Sequence, residues 1–277
     1  MNGSAPIRCV RSHYDDAAGE AILRPIPIEA PIAVEINGIA YAVMMATPID
    51  ITDFIAGFLL GEDLATIAEL GPVVVHLVVN AELGDGYVAR TNVPAHRATA
   101  LMERARHRVS DSACGLCGME SIELALRPLP ALARRPVASD RAIRQALHGL
   151  RDLQALGRET GATHAAAFCD DNGEIVLVRE DVGRHNALDK VIGALALQGC
   201  DASLGFILVT SRCSFELVEK AVRAKCPLLV AISAPTDLAV RRARAAGLAL
   251  AVLARDDSVL WMSGKAIDAA LERGDGV

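Results

Sequence analysis

The sequence predicts an α/β protein, with a mainly parallel sheet covered by helices in its C-terminal part and a smaller α/β subdomain before it. Three observations carry this. From residue 206 onward, short continuous apolar runs alternate with helical patterns, as in sheets buried on both faces. Residues 32–45 alternate apolar and polar positions around Asn37-Gly38, a hairpin signal. The chain has 277 residues, 52% hydrophobic and 22% charged, which is enough for one large core or two small ones and excludes a disordered chain.

Taken in order, residues 1–25 are polar and irregular and read as a tail. The hairpin pairs Ile32–Ile36 with Ile39–Met44. Thr47-Pro48 opens a helix over Asp50–Leu60 with an apolar stripe at Phe54, Ile55, Phe58 and Leu59. Val73–Val79 and Tyr87–Val93 read as strands, and the Arg-rich residues 98–107 as helical. Pro128, Pro130 and Pro136 place a linker near 128–138. The chain thus divides into the tail, an N-terminal subdomain over 26–135 and a C-terminal domain over 136–277. In the latter, Asp140–Leu156 is an amphipathic helix. Ala165–Phe168 and Ile175–Val178 flank the turn Asp170-Asp171-Asn172-Gly173, and His185–Leu197 is helical. Strands at Phe206–Val209, Leu228–Ile232 and Leu248–Leu253 then alternate with helices at Phe215–Ala224 and Asp237–Ala246.

Composition excludes several functions. No apolar run reaches the roughly 18–20 residues that span a bilayer, and no basic-then-apolar leader opens the chain, so a cytoplasmic protein without membrane contact is expected. Net charge is −6, which argues against broad nucleic-acid binding. The 24 Arg against 4 Lys are read as genomic bias in bulk, with individual loop Arg kept as anion ligands. Seven irregularly spaced cysteines fit a reducing compartment better than a disulfide framework.

Three segments carry chemistry. In Ser112-Ala113-Cys114-Gly115-Leu116-Cys117-Gly118, two thiols lie three residues apart before a helix-like run. A helix N-terminus favours thiolate, the form that accepts or passes sulfur, and a second thiol can resolve a persulfide or disulfide. Half a zinc site, a redox pair and two small buried cysteines are the competing readings; no second ligand pair for zinc is evident. In Val178 to Lys190, a strand leads through a charged loop into a helix, and Arg179, Arg184 and His185 sit where a helix N-terminus holds an anion, with Glu180 and Asp181 orienting or neutralising them. Taken alone, that one-glycine loop is better explained as a capped helix with surface ion pairs. In Thr210 to Glu216, Ser214 is a plausible N-cap and Ser211 and Arg212 suit phosphate. Ligands of parallel sheets bind beyond the strands' carboxyl ends, here Thr210-Ser211-Arg212, Ser233-Ala234-Pro235 and Ala254-Arg255-Asp256. The histidines at 76, 96, 107, 148 and 164 show no ligand spacing and receive no role, and no metal site is assigned.

Across about residues 28–263 the chain resembles the FdhD family, the formate dehydrogenase accessory sulfurtransferases. The resemblance rests on Thr47-Pro48 through Leu60, the Cys114-to-Cys117 motif, Thr163-His164-Ala165-Ala166, Arg179 through Lys190, Ser211-Arg212 with Ser214-Phe215-Glu216, and Ala231 through Thr236. It implies that a cysteine desulfurase loads sulfur on Cys114 as a persulfide, with Cys117 assisting. The sulfur then passes to a molybdenum bis(molybdopterin guanine dinucleotide) cofactor destined for formate dehydrogenase apoenzyme. It also implies a homodimer with a cytidine-deaminase-like C-terminal part, though the deaminase zinc motifs are missing from the sequence. The resemblance implies cofactor contacts in Leu253-Ala254-Arg255-Asp256-Asp257-Ser258, and the reading of the loops adds Arg179, Arg184, His185, Ser211, Arg212 and Ser233 around them. Asp256 and Asp257 would repel a diphosphate unless Arg255 or a metal compensates. A cofactor-binding chaperone that transfers no sulfur is the alternative of a different class.

Overall fold

The computed structural model describes residues 3–14, 19–82, 84–99, 101–102, 127–136 and 138–264. The expected Asn37-Gly38 hairpin joins β3 (Ala30–Ile36) to β4 (Ile39–Ala46), with both turn residues at positive φ, 53° and 76°, as a type I′ turn demands. β6 (Gly86–Thr91) runs parallel to β3, and β5 (Val74–Val78) pairs with β6 to complete a four-stranded sheet ordered β4-β3-β6-β5. Helix α1 (Ile51–Gly61) lays Ile51, Phe54, Ile55, Phe58 and Leu59 on Ile32, Val34 and Ile36 of that sheet.

The C-terminal part holds a six-stranded sheet ordered β12-β11-β10-β9-β7-β8. Its strands are β7 (His164–Asp170), β8 (Ile175–Asp181), β9 (Gly205–Val209), β10 (Leu228–Ala231), β11 (Ala249–Val252) and β12 (Leu260–Ser263). The α/β class holds, but the parallel part is confined to β9-β10-β11; β12 and the β7-β8 hairpin flank it antiparallel. The three parallel strands are the ones joined by helices, and a crossover is what parallel pairing requires. Strand side chains alternate between two buried layers. Ile207, Val209, Leu229 and Leu250 face α4 (Arg184–Leu197), α5 (Phe215–Arg223) and α6 (Asp237–Ala246). Phe206, Leu208, Val230 and Ala251 face α2 (Asp140–Leu153). Burial on both faces is why these strands read as unbroken apolar runs.

Three expectations are corrected. Residues 1–25 are not an irregular tail, because β1 (Ser4–Arg11) and β2 (Glu20–Pro27) form an antiparallel ribbon. Its alternation is masked by Arg and Pro, and Ile7, Val10, Leu23 and Ile26 stay exposed, so no buried face imposes a period. The Pro-rich stretch is no free linker: Leu129 and Leu132 pack on the helical face of the large sheet, and the Leu132 amide donates to Ala246 O at 2.9 Å. The helix expected over Asp140–Leu156 breaks at Gln154, and a short α3 (Ala155–Thr160) restarts. The buried Glu180 carboxylate captures the Leu156 and Gly157 amides at 2.9 and 2.7 Å and fixes that restart.

The two parts meet through α1 and α4. A Cβ on Gly57 would lie 1.7 Å from Asp189 O, and one on Gly193 would lie 1.8 Å from Asp53 O. Only glycine lets the two backbones approach this closely. No helix among the described residues is long and apolar enough to cross a membrane.

Candidate functional site

The carboxyl ends of β9, β10 and β11 form one continuous rim. The Cys213 amide donates to Ala234 O at 3.2 Å and the Thr236 amide to Cys213 O at 3.0 Å, which ties the loop after β9 to the loop after β10. The Leu253 and Ala254 amides donate to Ser233 O and Ala231 O, at 3.4 and 3.3 Å, and tie in the loop after β11. Leu253 adopts φ 48°, a strained value for a branched side chain and one found where a local structure overdetermines the backbone. The rim therefore gathers Ser211, Arg212, Ser233 and Leu253–Ser258, as the sequence placed them.

Beside this rim the N-termini of α4 and α5 converge. His185 Nε2 lies 3.4 Å from Ser214 Oγ and 3.8 Å from Glu216 Oε2. Ser214 holds the N-cap position of α5 and Gly183 that of α4, yet neither supplies a side-chain cap, so the end amides of both helices are left without it. Arg184 and Arg212 form no ion pair among the described residues, and Arg184 Nε is buried without a partner. Burial pushes the Glu216 carboxyl up, but its interactions with His185, the Ser214 hydroxyl and its own amide outweigh this and hold it at about 2. Two guanidinium groups without an ion-pair partner among the described residues thus lie beside two helix N-termini, an arrangement whose chemistry suits an anion.

The other acidic and basic groups of the Val178-to-Lys190 segment are committed elsewhere. Arg179 turns to α1, with its Nε and its terminal nitrogen 2.8 and 2.7 Å from Asp53 Oδ2, so the structure separates it from Arg184 and His185. Glu180 neutralises no Arg; besides the α3 amides it accepts from the Thr163 hydroxyl at 3.2 Å. Asp181 forms a fully buried ion pair with Lys190 at 2.6 Å and accepts from the Thr47 and Gly183 amides and the Asn186 amide group. Lys190 Nζ also donates to Thr47 O and Glu180 O. This knot fastens the loop before α1 to the end of β8 and the first turns of α4.

The remaining candidates divide. The Ser211 hydroxyl is buried and donates to Arg212 O. The Arg255 guanidinium donates to Ile232 O and Ala254 O and braces the rim. Asp256 is paired with His148 and Arg151 of α2, at 3.3 and 3.6 Å, which offsets the charge the sequence placed near a diphosphate. Cys114 and Cys117 lie outside the described residues. Burial pushes Cys213 and Cys226 up to about 12 and raises Cys169 as well, so these three thiols are not nucleophiles at neutral pH. No group of three or more His, Cys, Asp or Glu among the described residues is placed to hold a metal.

Sequence reasoning passed over His164. It opens β7 opposite Asp181 of β8, and the register of β7 with β9 carries it to the level of Ser211. Burial, then the charges of Arg184, His185 and Arg212, hold its ring below the ordinary histidine range, against the pull of Asp181. The signal was positional: a histidine at the start of a strand antiparallel to one that ends at the rim.

With this geometry in view, comparisons with known proteins are informative. The "Sulfur carrier protein FdhD" of Variovorax paradoxus (strain S110) is 46% identical over 235 residues, 85% of this chain and 83% of that one. Its counterpart in Xanthomonas axonopodis pv. citri (strain 306) is 44% identical over 271 residues, 97% of this chain and 94% of that one. A crystal structure described as a formate dehydrogenase accessory protein from Desulfotalea psychrophila superposes with TM-score 0.75 over 96% of this chain and 99% of its own; at 20% identity it speaks for the fold. The FdhD/NarQ family model matches residues 27–266, nearly the whole chain, and the chain therefore belongs to the FdhD/NarQ family.

Proposed function

We propose that this protein is a sulfur carrier for formate dehydrogenase maturation. In this reading, the Cys114 thiolate attacks the outer sulfur of a persulfide on a cysteine desulfurase. The Cys114–sulfur bond forms, the desulfurase sulfur–sulfur bond breaks, and the desulfurase thiolate leaves. Cys117 lies close enough in sequence to assist or relay. On delivery, the Cys117 thiolate attacks the inner sulfur of the Cys114 persulfide, a Cys114–Cys117 disulfide forms, and the outer sulfur leaves at the sulfide level for the molybdenum bis(molybdopterin guanine dinucleotide) cofactor, a cargo held at the strand-end rim.

The observation that carries this reading is that Arg184 and Arg212, at the converging N-termini of α4 and α5, form no ion pair among the described residues, with Arg184 Nε buried and without a partner. A dinucleotide with paired diphosphates needs such a receptor. The names of the relatives supply the sulfur-carrier class, and the two-thiol spacing of Cys114 and Cys117 between glycines supports them as the cysteines that carry it.

Intact mass spectrometry after incubation with a cysteine desulfurase and cysteine tests the reading. A gain of about 32 Da, lost on adding dithiothreitol and absent in Cys114→Ala, is the expected result. No gain, where a known acceptor is loaded, overturns sulfur transfer. Formate dehydrogenase maturation retained in Cys114→Ala/Cys117→Ala would leave a cofactor-binding chaperone.

A further inference from the structure

The anion receptor contains a titrating group with no assigned role. His164 sits half-buried between the ends of β8 and β9, at the level of Ser211 and opposite Asp181. The charged groups facing it come from every neighbouring element. Asp181 on β8 is tied to Lys190, which neutralises it. Glu180, the next carboxylate on β8, is turned to the α3 amides. Glu216 on α5 lies 3.8 Å from His185, with its Oε2 buried and without a hydrogen-bond partner, and the His185 ring on α4 also bears on His164. Arg184 on α4 and Arg212 after β9 have no carboxylate partner among the described residues. Arg184, His185 and Arg212 therefore make the field at His164 positive, with Asp181 opposing them.

We propose that His164 is the proton-accepting member of this site, taking up a proton when a phosphate-bearing ligand binds across Arg184 and Arg212. The proposal rests on the anion-site reading above and adds the residue that couples it to protons. A diphosphate brings two or more negative charges to within reach of the two guanidinium groups. The field at His164 then reverses sign, and the imidazolium becomes the favoured form. As a cation it offers two N–H donors, where the neutral ring offers one.

Linkage sets the consequence. A group that holds a proton more tightly in the complex than in the free protein makes binding stronger at low pH and weaker at high pH. A rise of about one unit in the His164 pKa corresponds to about a tenfold difference in affinity between the low-pH and high-pH limits. Acceptance of cargo would be favoured at mildly acidic pH and release as pH rises.

The test follows the His164 ring directly. The full-length protein is labelled with carbon-13 at histidine Cε1, the His164 signal is identified by its loss in His164→Gln, and the ring is titrated from about pH 5 to about pH 8 with and without saturating GDP. The expected result is a His164 midpoint below the ordinary range in the free protein, rising by about one unit or more with GDP. Binding of GDP with an unchanged or lowered midpoint overturns the role of His164 and leaves the anion site standing. Failure of GDP to bind overturns the anion site, and this proposal with it. As a second measurement, His164→Gln should bind GDP with a flatter pH profile than the parent; an equally steep profile also overturns the proposal. Should that variant fail to fold, single His→Gln changes at the other six positions assign His164 by elimination.

Discussion

Replacing Lys190 with Met removes the cation from the knot at the start of α4 while keeping the length of the side chain. In the parent, Lys190 Nζ meets Asp181 Oδ2 at 2.6 Å, Thr47 O at 3.0 Å and Glu180 O at 3.1 Å, and neither charged side chain has any exposed surface. The variant leaves a buried carboxylate without its counter-charge and two buried carbonyls short of a donor. Breaking one side of a buried pair costs about 3–5 kcal/mol. The three other donors to Asp181 remain, which places the expected loss toward the lower end of that range. For a chain of this size the melting midpoint should fall on the order of 10 °C. Urea unfolding and thermal melting followed by circular dichroism measure both quantities. Because Lys190→Met leaves the Asp181 carboxyl buried without its partner, the double variant Asp181→Asn/Lys190→Met should be more stable than the single one. A loss below about 1 kcal/mol in the single variant, or no recovery in the double, would refute the reasoning, since either result means that water reaches the pair.

Other outcomes follow from the same geometry. Arg184→Ala and Arg212→Ala should each weaken GDP binding about tenfold or more with an undisturbed melting midpoint, and more so at low salt; isothermal titration at two ionic strengths checks this. Gly57→Ala should cost about 2–3 kcal/mol, because its Cβ meets Asp189 O and the helices α1 and α4 must part; urea unfolding reads it. Burial raises Asp189 to about 6 despite its contact with Lys220 at 2.8 Å. The folded state therefore binds this proton more tightly than the unfolded chain, so stability is lost as pH rises between about 4 and about 6, by up to about 1.4 kcal/mol per unit. Asp189→Asn removes that contribution, and an identical pH slope in the two proteins would contradict it.

Much of the framework is local and was legible in the chain. Asn37-Gly38 accepts the positive φ that a two-residue turn needs, so the hairpin follows from those two residues. Thr236 caps α6 by accepting from the Ala239 amide, and α6 starts and stops where the pattern places it. The three apolar strands announce a sheet buried on both faces, and topology alone puts Ser211, Arg212, Ser233 and Leu253 on one rim. β12 was missed because Leu260–Ser263 is a short, half-exposed edge with no period to read.

Membership of one rim is thus a property of the sequence, because strand order and direction follow from periodicity and crossover length. The pairing of charges is not. Arg179, Arg184 and Arg212 look alike in sequence, yet Arg179 is taken by Asp53, 126 residues away, while the other two form no ion pair among the described residues. Asp181 is taken by Lys190 and Asp256 by α2. Each pairing depends on burial and on distances of a few ångströms between elements remote in the chain, and only the tertiary structure decides those. His164 gains its place in the same way, from strand register across two neighbours rather than from any motif around it.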